Sequence, residues 1–186
     1  MHITLRTVAE VRNLRTRVLA RKLQRAMRRW CAPNFRVVHY TILNNHIHMI
    51  VEADDRKALS KGLQRLNGGM ARIINKHHGR RGTLWRDRYH EQVLSSPAQV
   101  RNAIAYVLNN ARRHMRGTRV RAVRGWVDDR STAIWFPHWK SVAPGSLFDV
   151  DDRELRPPAP RTWLLRTGWK KAGPSLDLER VPGPSG

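Results

Sequence analysis

With 186 residues, 40% of them hydrophobic, the chain can bury one compact core plus an appendage; this excludes wholesale disorder and leaves too little for two ordinary domains. A formal net charge of +22 and a pI near 11.7 make the folded chain repel itself and attract polyanions, so nucleic acid is the first partner to weigh. The single cysteine, Cys31, excludes a disulfide framework or a cysteine-built zinc site within the chain, and no apolar run approaches the roughly 18 residues that cross a bilayer.

The charge is unevenly placed. From Val11 to Val51 there is no Asp or Glu, which favours a binding face over a diffuse excess, although a solvated basic surface is the plainer account. The start, MHITLRTVAEVRN, lacks the apolar segment of a signal peptide, and the cytoplasm is the expected compartment.

In chain order, His2–Arg6 alternates like a short strand. A helix is expected over about Asn13–Trp30, with Leu14, Val18, Leu23, Met27 and Trp30 on one stripe and arginines elsewhere; Pro33 and Asn34 stop it. Phe35–Leu43 and His46–Ala53 read as two strands joined by Asn44-Asn45, because Asn tolerates the positive φ of a two-residue hairpin turn. Asp54 or Asp55 caps the next helix, about Asp55–His77, with the stripe Leu59, Leu63, Leu66, Met70 and Ile73. Each glycine of Gly68-Gly69 costs a helix about 1 kcal/mol relative to Ala, so a kink or a close approach is expected there. Gly79–Gly82 is a basic turn, Thr83–Leu94 is mostly extended, and Ser96-Pro97 starts a last helix, about Pro97–Arg113.

The order β-α-β-β-α-β followed by α predicts an α+β fold: a ferredoxin-like antiparallel sheet with two helices on one face, leaving the other face for the extra helix. The division expected is a site-bearing domain over residues 1–116 and an extension over 117–186. The extension holds five of the seven tryptophans and eight of the ten prolines. It either straps back onto the core and buries its tryptophans, or presents an Arg/Trp surface to nucleic acid. Within it, Arg161–Lys171 has the pattern of a short amphipathic helix.

Side chains alternate along a strand, so His46 and His48 share a face, with Cα atoms roughly 6–7 Å apart. Two imidazoles at that spacing can converge on one ion, and spacing alone leaves this no better than even. An Asn44-Asn45 turn pairs Leu43 with His46, Thr41 with His48 and His39 with Ile50. Val38, Tyr40, Ile42, Ile47, Met49 and Val51 then form the apolar face that meets the helices. On the last helix, Val100, Ile104, Val107 or Leu108 and Ala111 form the buried stripe. Tyr106 lies about 200° from Ile104, at 100° per residue, on a polar side shared with Asn102, Asn110 and Arg113. An ordinary surface tyrosine is the commoner case; here the neighbours also suit a phosphate and a metal.

The strings HYTILNNHIHMIVEADD, GTLWRDRYHEQVL and NAIAYVLNNARRH together resemble the single-tyrosine HUH transposases of small insertion sequences, with the closest likeness to their REP-associated tyrosine transposase relatives. The resemblance runs from about His2 to His114. It implies a metal-dependent enzyme that cuts and joins single-stranded or hairpin DNA, with His46 and His48 as the histidine pair, Tyr106 as nucleophile and Asn110 as third metal ligand. Where relatives usually read Tyr-x-x-x-Asn-Pro, this chain has Asn110-Ala111, so the helix is expected to run on. The tyrosine helix completes either its own site or a partner's, in a monomer or a homodimer.

Two imidazoles and an amide suit Mn²⁺; Mg²⁺ prefers oxygen, which phosphate and water can add. His39 is a candidate supporting or substitute ligand, Glu52 is too far along its strand to join, and His90 is a surface residue that could approach. Arg15, Arg21, Arg25, Arg28, Arg29, Arg80, Arg81, Arg86, Arg88 and Arg113 are the candidate phosphate contacts, each about as well explained as solvated charge. Two rivals stand beside this reading: a basic module that binds nucleic acid and cuts nothing, and a hydrolytic metal nuclease in which Tyr106 is incidental. The first predicts binding unaffected by EDTA, the second cleavage that survives Tyr106→Phe.

Overall fold

A computed structural model describes residues 1–11, 13–115, 124–140 and 153–180. Strands β1 (His2–Arg6), β2 (Phe35–Ile42), β3 (His46–Ala53) and β4 (His90–Gln92) form one antiparallel sheet in the order β2-β3-β1-β4. The fold is α+β and ferredoxin-like: β3 lies between β1 and β2, so each helical crossover spans a neighbouring strand. β4 is a short, exposed edge, much less than the extended Thr83–Leu94 expected; ahead of it a bridge between Thr7 and Trp85 continues the edge of β1.

One sheet face packs on helices α1 (Arg17–Arg29) and α2 (Arg56–His77). Ile3, Leu5, Val37, Tyr40, Ile42, Ile47, Met49 and Val51 meet Leu19, Leu23 and Met27 of α1 and Leu59, Leu63, Leu66, Met70 and Ile74 of α2. Two stripe residues differ from expectation. α1 starts four residues later than periodicity suggests, where the Thr16 hydroxyl accepts from the Leu19 amide. The inward row is then Leu19, Leu23 and Met27 at four-residue spacing, and Val18, one step round, is 58% exposed. On α2, Ile74 rather than Ile73 continues the row to full burial. A register shift between Val37 and His39 puts Val37, not Val38, in this cluster beside Tyr40.

Asp55 is the cap of α2, accepting from the Ala58 amide at 2.6 Å. The helix runs unbroken through Gly68-Gly69, and the reason for glycine is contact: a Cβ on Gly69 would lie 1.9 Å from the Trp30 ring. Helix α3 (Pro97–Met115) starts in a capping box, with the Gln99 amide donating to Ser96 Oγ and the Gln99 side chain accepting from the Ser96 amide. It runs past Ala111, as the missing proline allows.

α3 crosses the other sheet face, where Ile50 joins Val100, Ile104, Val107 and Leu108 in a second core. The extension supplies the rest of that core, Phe136, Trp139, Leu165, Trp169, Leu176 and Leu178, so it straps back and buries Trp139 and Trp169, while Trp163 stays 52% exposed. Arg161–Lys171 forms one α-helical turn, Trp163–Arg166, followed by a 3-10 turn, Gly168–Ala172. Among the described residues no helix is long and apolar enough to cross a membrane.

Candidate active site

The Asn44-Asn45 hairpin sets the register that builds the site. Leu43 accepts the role of last paired residue, its amide donating to the His46 carbonyl at 2.9 Å, and Thr41 lies opposite His48 on β2 as Thr4 does on β1. Because the odd-numbered residues of β3 are spent on the helical core, His46, His48, Ile50 and Glu52 face α3 and the extension. All four are buried.

α3 lies over this row. The Tyr106 ring sits 5.1 Å from the His48 ring, edge to face, and His114, eight residues on, sits 5.2 Å from the His46 ring. His46 and His48 are 4.9 Å apart, centre to centre. Asn110 falls midway between Tyr106 and His114 on the same helical row, which places it over the pair. It is fully buried, yet neither its Oδ1 nor its Nδ2 has a hydrogen-bond partner. An amide in that condition costs about 1–3 kcal/mol unless something else engages it.

The imidazoles are held neutral. Burial pushes His46 down to about 4, helped by neighbouring His114 and Arg6, and pushes His48 down to about 2, with His46 and His2 adding to the effect. Each ring also has its Nδ1 engaged: that of His46 with Asn45 Oδ1 at 2.8 Å, that of His48 with Thr4 Oγ1 at 3.0 Å. In the tautomers that donate from Nδ1, both Nε2 lone pairs are left for a ligand, the arrangement usual in metal-binding histidines. The donor set therefore fits a divalent ion held by His46, His48 and the otherwise unsatisfied Asn110. Among the described residues no three His, Cys, Asp or Glu side chains gather as a metal site, so the amide is essential to that fit.

His2 was not among the candidates. It is buried against both His48 and Tyr106, its Nε2 3.2 Å from His48 Nδ1 and its ring 5.7 Å from that of Tyr106. The sequence carried a faint sign of it, since His2 and Thr4 alternate on β1 as His46 and His48 do on β3. His39 is accounted for differently: Phe136 and Thr132 of the extension cover it, and burial lowers it to about 4. Glu52 is likewise committed, accepting from the Arg161 and Thr162 amides and the Thr162 hydroxyl at 2.6–2.9 Å. His90 is exposed on β4.

The candidate arginines separate into four groups. Arg113 stands at the site, its guanidinium 5.9 Å from the centre of the Tyr106 ring. Arg15 is held by protein: it forms a paired contact with Asp128 at 2.7 and 3.1 Å and donates to the Ile42 carbonyl, so it straps the extension. Arg21, Arg25, Arg28 and Arg29 belong to α1, on the sheet face away from Tyr106; the last three line an open groove of about 570 Å³ with Lys22, Trp30 and Glu154. Arg80 organises its own turn by donating to Asn75 and the Thr83 carbonyl, while Arg81, Arg86 and Arg88 are exposed beyond it.

Among solved structures, the chain is similar to that of a REP-associated tyrosine transposase bound to a REP hairpin, at 18% identity and a TM-score of 0.45. The match takes in 61% of this chain and 66% of that one, just under two thirds of its length. No curated protein matches. The family model described as "Transposase IS200 like" matches residues 1–110, which include His46, His48, Tyr106 and Asn110 and end before the extension. With more than half its length in that match, the chain belongs to the IS200-like transposase family.

Proposed function

We propose that this chain is a divalent-metal-dependent endonuclease and strand transferase for single-stranded or hairpin DNA, with Tyr106 as its nucleophile. The observation that carries the reading is the stacking of Tyr106, Asn110 and His114 along one row of α3 above His46 and His48. Membership of a transposase family supports the substrate class, and the net charge of +22 suits a polyphosphate backbone.

The Tyr106 oxygen gives up its proton and forms a bond to phosphorus, while the bond from phosphorus to the 3′ oxygen breaks. The products are a 5′-phosphotyrosine and, once the leaving oxygen takes a proton, a free 3′-hydroxyl. Storing the phosphodiester in a covalent link lets a later 3′-hydroxyl reverse the reaction on another strand without an energy source. His46, His48 and Asn110 would hold the metal ion, which supplies Lewis-acid polarisation of the scissile phosphate. Arg113 places positive charge beside the phenol as negative charge develops there. Arg25, Arg28, Arg29, Arg81, Arg86 and Arg88 act as phosphate contacts outside the site, so affinity falls steeply with salt.

End-labelled hairpin DNA with a single-stranded flank, incubated with the protein and Mn²⁺ and run on a denaturing gel, tests this. A covalent protein–DNA band is expected for the wild type, absent in Tyr106→Phe and reduced about 100-fold or more in His46→Ala. Binding that ignores EDTA, with no covalent band across a broad pool of hairpins, overturns it in favour of a module that only binds.

A further inference from the structure

We propose that the groove bounded by α1, α2 and Glu154 is a second single-strand DNA site, in which one unpaired base stacks on Trp30 while Lys22, Arg25, Arg28 and Arg29 hold the phosphates beside it. The inference rests on the reading of the chain as a DNA enzyme and adds a contact on the sheet face opposite Tyr106.

Helical spacing brings the cations together. Lys22, Arg25 and Arg29 stand at i, i+3 and i+7 of α1, a row along about 10 Å of its axis, with Arg28 beside it. That length takes about three stacked nucleotides at about 3.4 Å each. Ala26 and Ile73 add apolar surface to the groove, which has a volume of about 570 Å³. Ile73 is available for this because Ile74 takes the buried place in the row of α2.

Trp30 follows directly on α1, and its ring is held in place. The six-membered ring lies so close to the α2 backbone that a Cβ on Gly69 would overlap three of its carbon atoms. The side chain is half-buried and lines the groove. An aromatic surface fixed before a ligand arrives loses little freedom on binding. Trp85 and Trp139 donate their indole N–H to main-chain carbonyls at 3.0 Å, whereas among the described residues that of Trp30 has no acceptor. A strand lying in the groove offers one.

Charge selects the occupant. The groove sets four cations against one carboxylate, Glu154, which the 3-10 turn Arg153–Leu155 carries to its rim. Glu154 Oε2 lies 3.6 Å from Arg25 Nε, so an anionic oxygen of the protein itself already engages this row. Lys22, Arg28 and Arg29 pair with no acid among the described residues. Cations flanking a fixed aromatic ring complement a strand whose phosphates meet the charges and whose base meets the ring. A duplex keeps its bases in its own stack and could use only the cations.

Three measurements on the full chain test the site. All are made in EDTA, so loss of metal-dependent cleavage would leave their outcome unchanged. Anisotropy of a short fluorescein-labelled oligothymidylate should show binding about 10-fold weaker in Trp30→Leu and nearly wild-type in Trp30→Phe, which keeps a ring. Replacing Arg28 and Arg29 together by Gln should flatten the slope of log affinity against log salt by about 1.4. With 5-iodouracil in the strand, irradiation of the wild type should label tryptic peptide 30–36, at Trp30. The site is overturned if an abasic strand of equal length binds the wild type as tightly as oligothymidylate. It is equally overturned if the photolabel never reaches that peptide, a result that needs no variant to fold. Stronger competition by a duplex of equal length would leave plain phosphate contacts and remove the base site.

Discussion

At the scale of single residues, the His face of the sheet is stabilised by keeping its imidazoles uncharged, and that has a consequence for pH. His39 is half-buried beneath Phe136 and Thr132, and desolvation lowers it to about 4 from a value near 6.5. Between those two values the unfolded chain takes up a proton that the folded chain refuses. Stability from this residue is therefore complete above pH 6.5 and is lost as pH falls toward 4. His2, His46 and His48 are shifted in the same direction, so their losses add to it. Urea unfolding at pH 7.5 and pH 5 should show a marked drop in midpoint, and His39→Leu should lessen the drop. A midpoint that does not move over this range would mean that these rings are protonated or solvated in the folded protein. That His46 and His48 share one face and Tyr106 and Asn110 another was legible in the chain, because each pairing follows from a local period, two on a strand and four on a helix, while their expected roles came from the family resemblance. His2 and His114 could not be found this way, since their place depends on which strand lies beside β3 and on how far α3 continues.

At the scale of elements, the interior face of α2 shows how contact outranks helix propensity. A side chain on Gly62 would overlap the Phe35 ring, and one on Gly69 would overlap Trp30, whereas Gly68 meets only the end of Arg72 at 3.7 Å. Replacing glycine by alanine in an open helix position gains about 0.5–1 kcal/mol, while forcing a methyl into packed rings costs about 1–3 kcal/mol. Thermal unfolding should therefore show Gly68→Ala raising the midpoint and Gly62→Ala and Gly69→Ala lowering it. A uniform rise would remove the packing explanation and leave propensity alone. The sequence marked the Gly68-Gly69 pair as unusual, but it offered a kink and a close approach on equal terms. Only the neighbour decides, and Trp30 comes from the end of a different helix. The same limit explains the displaced start of α1: Asn13 has a φ of 64°, and its left-handed backbone interrupts a periodicity that apolar spacing alone carried through.

For the whole molecule, the extension turns a sheet with a loose helix on it into a layered body. It grips the sheet through Glu52, the segment before α1 through Arg15–Asp128, and α1 through Gln24, which donates to the Asp129 carbonyl at 2.9 Å. It grips α3 through Arg101 on the Ser175 carbonyl, Asn109 on the Asp177 carbonyl and Arg112 on Glu179 at 2.9 Å. None of these pairings was readable beforehand, because they join residues more than 65 positions apart and the segment lacks a period of its own; composition told only that its tryptophans wanted cover. Held from both sides, α3 cannot be exchanged for that of a second copy without opening a core that contains Trp139 and Trp169. Tyr106 should then serve the His46–His48 pair of its own chain. Mixing Tyr106→Phe protein, which keeps its histidines, with His48→Ala protein, which keeps its tyrosine, checks this directly. The mixture should give no more covalent protein–DNA product than either variant alone, at any ratio and after long incubation. Product restored by mixing would mean that the helix swaps between chains, and that the strap built by Glu52, Asp128 and Glu179 opens far more readily than its burial implies.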